Sequence, residues 1–188
     1  MEFEETGFDG LYLVKMKPIA DERGHFFRTY CANEFGSIGM NEHFVQMNQS
    51  FNKSPGTLRG MHAQAGEAAE IKFVRCLSGK VFDVVVDLRK DSSTYLQYFG
   101  IELFGGDFKG LLIPRGFVHG FITLEMDSTL LYHHTAFYDP LREVCVRYDD
   151  PAIGIQWPVA VKHISEKDLS YPFINENFKD CHESMQTL

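Results

Sequence analysis

The sequence has no surplus of positive charge. Eighteen Lys and Arg stand against twenty-six Asp and Glu, a formal net charge of −8. Non-specific nucleic-acid binding needs a basic surface that displaces counterions, so no nucleic-acid partner is expected. A small phosphorylated ligand is not excluded, because a few converging arginines suffice. No run reaches the roughly 18 apolar residues of a spanning helix, and no membrane partner is expected. The opening residues Met1-Glu2-Phe3-Glu4-Glu5 lack the basic and apolar regions of a signal peptide, which makes a cytoplasmic location the expectation. The four cysteines, Cys31, Cys76, Cys145 and Cys181, include no CxxC pair and read as free thiols. Also missing are a Gly-rich phosphate loop, internal repeats and a strand–helix–strand rhythm. There is no His-x-His pair followed by a spaced Glu. His133 and His134 are adjacent, so on a strand they point apart and cannot easily share an ion. No metal site is expected.

What is present is aromatic and strand-like. Apolar residues make up 44% of the chain, with seventeen Phe and eight Tyr, which favour sheet and a ring-lined pocket. At 188 residues one domain is expected, spanning 1–188. Short apolar runs are cut by Gly, Pro and Asp. Leu11 to Met16, Phe44 to Asn48, Glu70 to Leu77, Val81 to Leu88, Tyr95 to Leu103, Phe108 to Ile113, Phe117 to Leu124, Ser128 to Thr135 and Glu143 to Arg147 read as strands. Ser78-Gly79-Lys80 reads as the turn of a hairpin. Ala32 to Ile38 reads as a short helix, and Ser165-Glu166-Lys167-Asp168 as a capped helix start. The last ten or so residues are polar and expected to fray. Many short strands with evenly spaced turns predict an all-β barrel or sandwich.

Several side chains stand out chemically. In Leu58-Arg59-Gly60-Met61-His62 two ionisable groups flank a glycine, and His is the usual proton shuttle near neutral pH. Asp83 lies inside Val-Phe-Asp-Val-Val-Val, where a carboxylate is costly unless paired. It points to water or holds a buried His, with His62 and His119 both candidates. Lys72 shares a strand face with Val74 and Cys76, opposite Arg75; in a pocket its charge can neutralise an oxyanion. Tyr132 and His134 share a face and His133 takes the other. A tyrosine placed opposite a base can return a proton to a carbanion.

Together these stretches resemble the dTDP-4-dehydrorhamnose 3,5-epimerase family. The resemblance is carried by Asp21-Glu22-Arg23-Gly24, Phe44-Val45-Gln46-Met47-Asn48, Leu58-Arg59-Gly60-Met61-His62, Lys72-Phe73-Val74-Arg75-Cys76 and Gly79-Lys80-Val81-Phe82-Asp83-Val84. Pro114-Arg115-Gly116-Phe117-Val118-His119-Gly120-Phe121 is its most specific stretch, followed by Tyr132, Tyr138, Asp139-Pro140 and Gly154-Ile155-Gln156-Trp157-Pro158. The resemblance implies a double-stranded β-helix, the jelly-roll barrel of cupin type, with short peripheral helices and no cofactor. It implies a homodimer in which N-terminal strands extend the neighbour's sheet. The substrate it implies is a nucleoside-diphosphate sugar bearing a 4-ketone and a 6-deoxy carbon. His62 matches the general base, supported by Asp168; Asp83 matches the acid held against His119; Tyr132 matches the general acid on the far side of the sugar. Lys72 and Arg59 match groups near the ketone oxygen and the ligand's polar contacts. Arg23, Gln46, Asn48, Glu143 and Lys167 match other substrate contacts, and Tyr138 matches the ring that stacks on the base.

The chain departs from the family pattern at several points. Arg28 stands where an acidic residue is usual, beside the nucleotide base. An arginine donates but cannot accept the N3 hydrogen of thymine, so CDP and GDP sugars stand beside dTDP sugars as expected substrates. Ala63 follows His62 where Phe is usual, which suggests a wider pocket. Epimerisation at C3, C5 or both, and a 3,4-ketoisomerase on the same barrel, fit these residues. Retention of both His62 and Tyr132 favours the epimerase, because inversion requires an acid on the far face. A non-catalytic sugar-binding cupin is the alternative outside enzymology.

Overall fold

The run from Val81 to Leu88 reads in strict alternation, and the molecule covers both of its faces. Val81 and Val85 enter a core with Val74, Cys76, Leu111 and Leu130, while Val84, Val86 and Leu88 enter a second core with Val118, Val144 and Val146. A strand buried on both sides needs a layer above and a layer below it. The chain supplies them in the computed structural model, which describes residues 1–174.

Thirteen strands form along the described chain. They are β1 (Glu2–Glu5), β2 (Tyr12–Lys15), β3 (Ile19–Asp21), β4 (Gly24–Phe26), β5 (Gln46–Asn52), β6 (Leu58–Gln64) and β7 (Lys72–Ser78), then β8 (Lys80–Asp87), β9 (Tyr98–Phe104), β10 (Lys109–Ile113), β11 (Phe117–Thr123), β12 (Ser128–His134) and β13 (Glu143–Cys145). Two five-residue helices, α1 (Ala32–Gly36) and α2 (Glu166–Ser170), lie at the periphery. A six-stranded sheet runs β1-β2-β10-β7-β12-β5 and a five-stranded sheet runs β13-β6-β11-β8-β9. Every pairing between these strands is antiparallel. The first core draws residues from both sheets, so they pack face to face as the expected jelly roll. The tail folds back, and Ile153, Ile155 and Trp157 cover the outer face of the five-stranded sheet. Under α1, Phe35 packs with Val14, Met40, Phe73 and Leu112.

The expected hairpin at Ser78-Gly79-Lys80 does not form as a strand pair. β7 belongs to the six-stranded sheet and β8 to the five-stranded one, and the turn carries the chain between layers. Gly79 has φ +67°, and a Cβ there would meet Ser128 Oγ at 2.4 Å, so the crossing is built on a glycine pressed against the start of β12, the strand beside β7. Both strands are apolar on two faces, and such a pattern carries no sign of which sheet each joins. β5 also runs on to Asn52, past the expected end at Asn48. The fraying expected of the last ten or so residues, and Cys181, lie outside the described residues.

Candidate active site

Strand β6 would place Arg59 and His62 on opposite faces if it were regular, since they are three residues apart. The ladder to β11 is irregular here: His119 pairs with His62, but Phe121 pairs with Arg59. The extra residue on β6 is a bulge that turns both side chains to one side. Gly60 takes φ +129° within it, and a Cβ there would lie 2.5 Å from Gly120 Cα. Both Arg59 and His62 reach a cavity of about 560 Å³ that also receives Lys72 and Tyr132 from the opposite sheet.

His62 is partly exposed to this cavity, and Asp168 Oδ1 accepts a hydrogen bond from its Nε2 at 2.7 Å. Asp168 is buried and is delivered by α2, whose N-cap Ser165 accepts from the Asp168 amide at 3.0 Å. Burial pushes the Asp168 carboxyl up, but the hydrogen bond and charge of His62 outweigh it, and the group is held below the ordinary carboxylate range. Asp83 makes the second dyad. It is fully buried and accepts from His119 Nε2 at 2.8 Å, which decides its partner.

Tyr132 projects from the six-stranded sheet, with its ring 6.1 Å from that of His119. Its hydroxyl shares a 3.0 Å hydrogen bond with Ser50 Oγ. Asn52 continues the relay, donating to Ser50 Oγ at 3.3 Å and accepting from Arg59 Nε at 2.8 Å. Burial raises the Tyr132 phenol above its ordinary value, and Ser50 and Arg59 pull against it. Lys72 Nζ lies 3.1 Å from Glu70 Oε1 and donates to the His62 carbonyl at 3.3 Å.

Eight of the residues expected at the site line this cavity: Asn48, Arg59, His62, Lys72, His119, Tyr132, Lys167 and Asp168. Asp83 stands behind His119. Gln46 and Tyr138 lie beside the cavity, where Gln46 Oε1 accepts from the Tyr138 amide at 3.3 Å and Gln46 Nε2 donates to Asn48 Oδ1 at 3.3 Å. Glu143 pairs with Lys167. Arg23 and Arg28 are not brought to the cavity. Arg23 extends into solvent against Asp21, and Arg28 pairs with Glu34 at 2.6 Å. Ala63 does not widen the cavity, because it packs into the outer core beside Val144 and Val146. Ser50, Asn52 and Glu70 were not legible as site residues. A signal for the first two exists in the polar alternation Gln46, Asn48, Ser50, Asn52 along β5. Among the described residues one group offers three metal-ligand atoms, from His62, Glu143 and Cys145, within 4.8 Å of one another. As they stand, His62 is committed to Asp168 and Glu143 to Lys167, and burial pushes the Cys145 thiol up to about 11.

Comparison with known proteins agrees over the whole fold. The model of the dTDP-4-dehydrorhamnose 3,5-epimerase family matches residues 5–176. The dTDP-4-dehydrorhamnose 3,5-epimerase of Salmonella typhimurium is 41% identical over 174 residues, covering 92% of this chain and 94% of that one. The crystal structure of the Elizabethkingia anophelis enzyme of the same name superposes with a TM-score of 0.88 at 38% identity, covering 96% of this chain and 97% of that one. A dTDP-6-deoxy-D-glucose-3,5-epimerase from Legionella pneumophila, solved with dTDP-4-keto-L-rhamnose, superposes at 0.86 with 35% identity over 92% of each chain.

Proposed function

The chain belongs to the dTDP-4-dehydrorhamnose 3,5-epimerase family of isomerases, and from that premise we propose that it inverts C3, C5 or both in a dTDP-linked 4-keto-6-deoxy sugar. The observation that carries the mechanism is the seating of the His62–Asp168 dyad and the Tyr132 hydroxyl on facing sheets of one cavity, which Lys72 also lines.

A proton beside a ketone is too weakly acidic for neutral imidazole unless the enolate is stabilised. His62 takes that proton, and the C–H electron pair moves through the new C=C bond onto the ketone oxygen. The Lys72 ammonium stabilises the resulting oxyanion. Asp168 holds the His62 ring and stabilises the imidazolium as it forms. Tyr132 then donates its proton to the same carbon from the opposite face, the electrons return from oxygen, and the centre inverts. The tyrosinate left behind retains its hydrogen bond to Ser50 and the field of Arg59 until solvent restores the proton.

Arg59, Asn48 and Lys167 supply polar contacts to the sugar and diphosphate, with Gln46, Tyr138 and Glu143 at the rim. Arg23 and Arg28 reach substrate only in a homodimer that brings the β3–β4 hairpin of one copy to the cavity of the other. The exposed apolar side chains Ile19 and Phe26 on that hairpin, at 73% and 76% exposure, support such a contact. The Arg28–Glu34 pair leaves a carboxylate beside the guanidinium, and dTDP is the nucleotide to offer first, with CDP and GDP sugars as comparisons.

The test is proton exchange in heavy water, followed by NMR and mass. With dTDP-4-keto-6-deoxyglucose, deuterium enters at C3, C5 or both, and the labelled centre is inverted. Migration of the ketone to C3 would show a ketoisomerase instead. Absence of exchange on dTDP, CDP and GDP sugars alike would sink the catalytic reading and favour a sugar-binding module.

A further inference from the structure

Glu70 is a buried carboxylate that the mechanism above does not use. It precedes β7 by two residues, so in extended chain it shares a face with Lys72. On the neighbouring strand His134 pairs directly with Lys72 in the β12–β7 register, and it shares a face with Tyr132. Two stretches of the chain, one at residues 70–72 and the other at residue 134, therefore deliver a carboxylate, an ammonium and an imidazole to one corner.

The contacts there are specific. Glu70 is 7% exposed, and its two oxygens divide between partners: Oε1 lies 3.1 Å from Lys72 Nζ, and Oε2 accepts from His134 Nδ1 at 2.7 Å. Burial alone would push this carboxyl up; the His134 hydrogen bond and the Lys72 charge outweigh it and hold it below the ordinary range. Lys72 and His134 line the cavity, and Glu70 stands behind them. The His134 ring stacks on Tyr132 at 6.2 Å and 22°, and its Nε2 lies 3.4 Å from Asn48 Nδ2.

Two consequences follow from this arrangement. A lysine on a four-carbon stem has many rotamers, and a buried anion behind it restricts the ammonium to one. A carboxylate on Nδ1 also sets the tautomer of the imidazole. With Nδ1–H given to Glu70, His134 Nε2 is an acceptor, and the Asn48 amide donates to it at 3.4 Å, a long hydrogen bond that a hydroxyl can enter by taking the N–H and donating to the ring nitrogen. An acceptor and a donor side by side are complementary to a hydroxyl group, which is both.

We propose that Glu70 is a positioning residue that fixes Lys72 and His134 together, and that His134 Nε2 with Asn48 Nδ2 forms a subsite for a hydroxyl of the sugar. The inference rests on the epimerase reading for its kinetic consequences and on geometry alone for the tautomer.

The experiment has one arm for each. Nitrogen-15 NMR of the wild-type protein should show His134 as the Nδ1–H tautomer; an Nε2–H ring would overturn the proposal whatever the enzyme's activity. With dTDP-4-keto-6-deoxyglucose as probe, His134→Ala should raise KM about tenfold, the scale of one lost hydrogen bond, and raise it by a larger factor than it lowers kcat; an unchanged KM would overturn the subsite. Glu70→Gln keeps the shape but can no longer serve both partners with a charge, and should lower kcat about tenfold or more. A Glu70→Gln protein with lowered Tm but unaltered kcat and KM would reduce Glu70 to a structural group and overturn its positioning role. If the wild type exchanges no deuterium, calorimetry with dTDP-glucose takes the place of kinetics. Affinity about tenfold weaker in His134→Ala would then retain the subsite while the epimerase reading falls, and equal affinity would sink both.

Discussion

At the residue scale the proposed mechanism asks opposite things of two groups in the cavity. As the proposed base, His62 is open to the cavity and backed by a buried carboxylate. As the proposed acid, Tyr132 has to hold its proton until the enolate forms, and burial raises its phenol above the ordinary value near 10. It therefore stays protonated from pH 7 to 10, and inversion should not fall over that range through loss of the acid. Substituting the two groups should separate their roles. Tyr132→Phe should slow inversion by about 10²–10⁴-fold while deuterium still enters the substrate, because only the far-face donor is removed. His62→Ala should abolish incorporation as well. NMR of the recovered sugar in heavy water reads both outcomes, and full inversion by either variant would refute the assignment.

At the element scale the site depends on how β6 meets β11. The bulge at Gly60 and Met61 is what allows residues 59 and 62 to share a face, and it closes against Gly120 of the neighbouring strand. No side chain fits between them, and φ +129° is a conformation that L residues rarely adopt. Gly60→Ala should therefore cost about 3 kcal/mol or more, in the range of strained backbone combined with overpacking. It should also lower activity further than its stability loss explains, because Arg59 and His62 are re-aimed together. Thermal unfolding and exchange kinetics at a temperature where the variant is folded measure the two effects separately. Unimpaired exchange in a destabilised variant would show that the bulge serves packing alone.

At the scale of the whole molecule, the fold brings Asp168 to His62 across 106 residues of sequence. The returning tail does this by covering the five-stranded sheet, with the His163 carbonyl accepting from the Leu58 amide at 2.8 Å and the Trp157 indole donating to the Tyr148 carbonyl at 2.9 Å. Arg23 and Arg28 have no such route within one chain. Their distance from the cavity, and the exposed ring of Phe26 between them, lead to the homodimer proposed above. Phe26→Asp should shift the protein to monomer in analytical ultracentrifugation and raise KM for the nucleotide sugar by about tenfold or more, while fold and thermal stability change little. A variant that remains dimeric with unchanged KM would remove the hairpin from the interface.

Strand alternation is a local property, and the sequence alone determined much through it. The all-β class, the inward faces of Lys72 and Tyr132, and the outward turn of His133, now buried against Phe73 and Phe44, follow from a two-residue period. So does the need of Asp83 for a partner, since a carboxylate in an apolar run must be paired. Other features depended on contacts between distant segments, which no local period encodes. The residues by themselves left Asp83 between His62 and His119, the family resemblance pointed to His119, and the tertiary structure agrees; only the tertiary structure parted β7 and β8 into different sheets. It alone set Ala63 in a core and Glu70 behind Lys72. The bulge on β6 is the sharpest case, because a single extra residue reverses the face on which every later side chain stands.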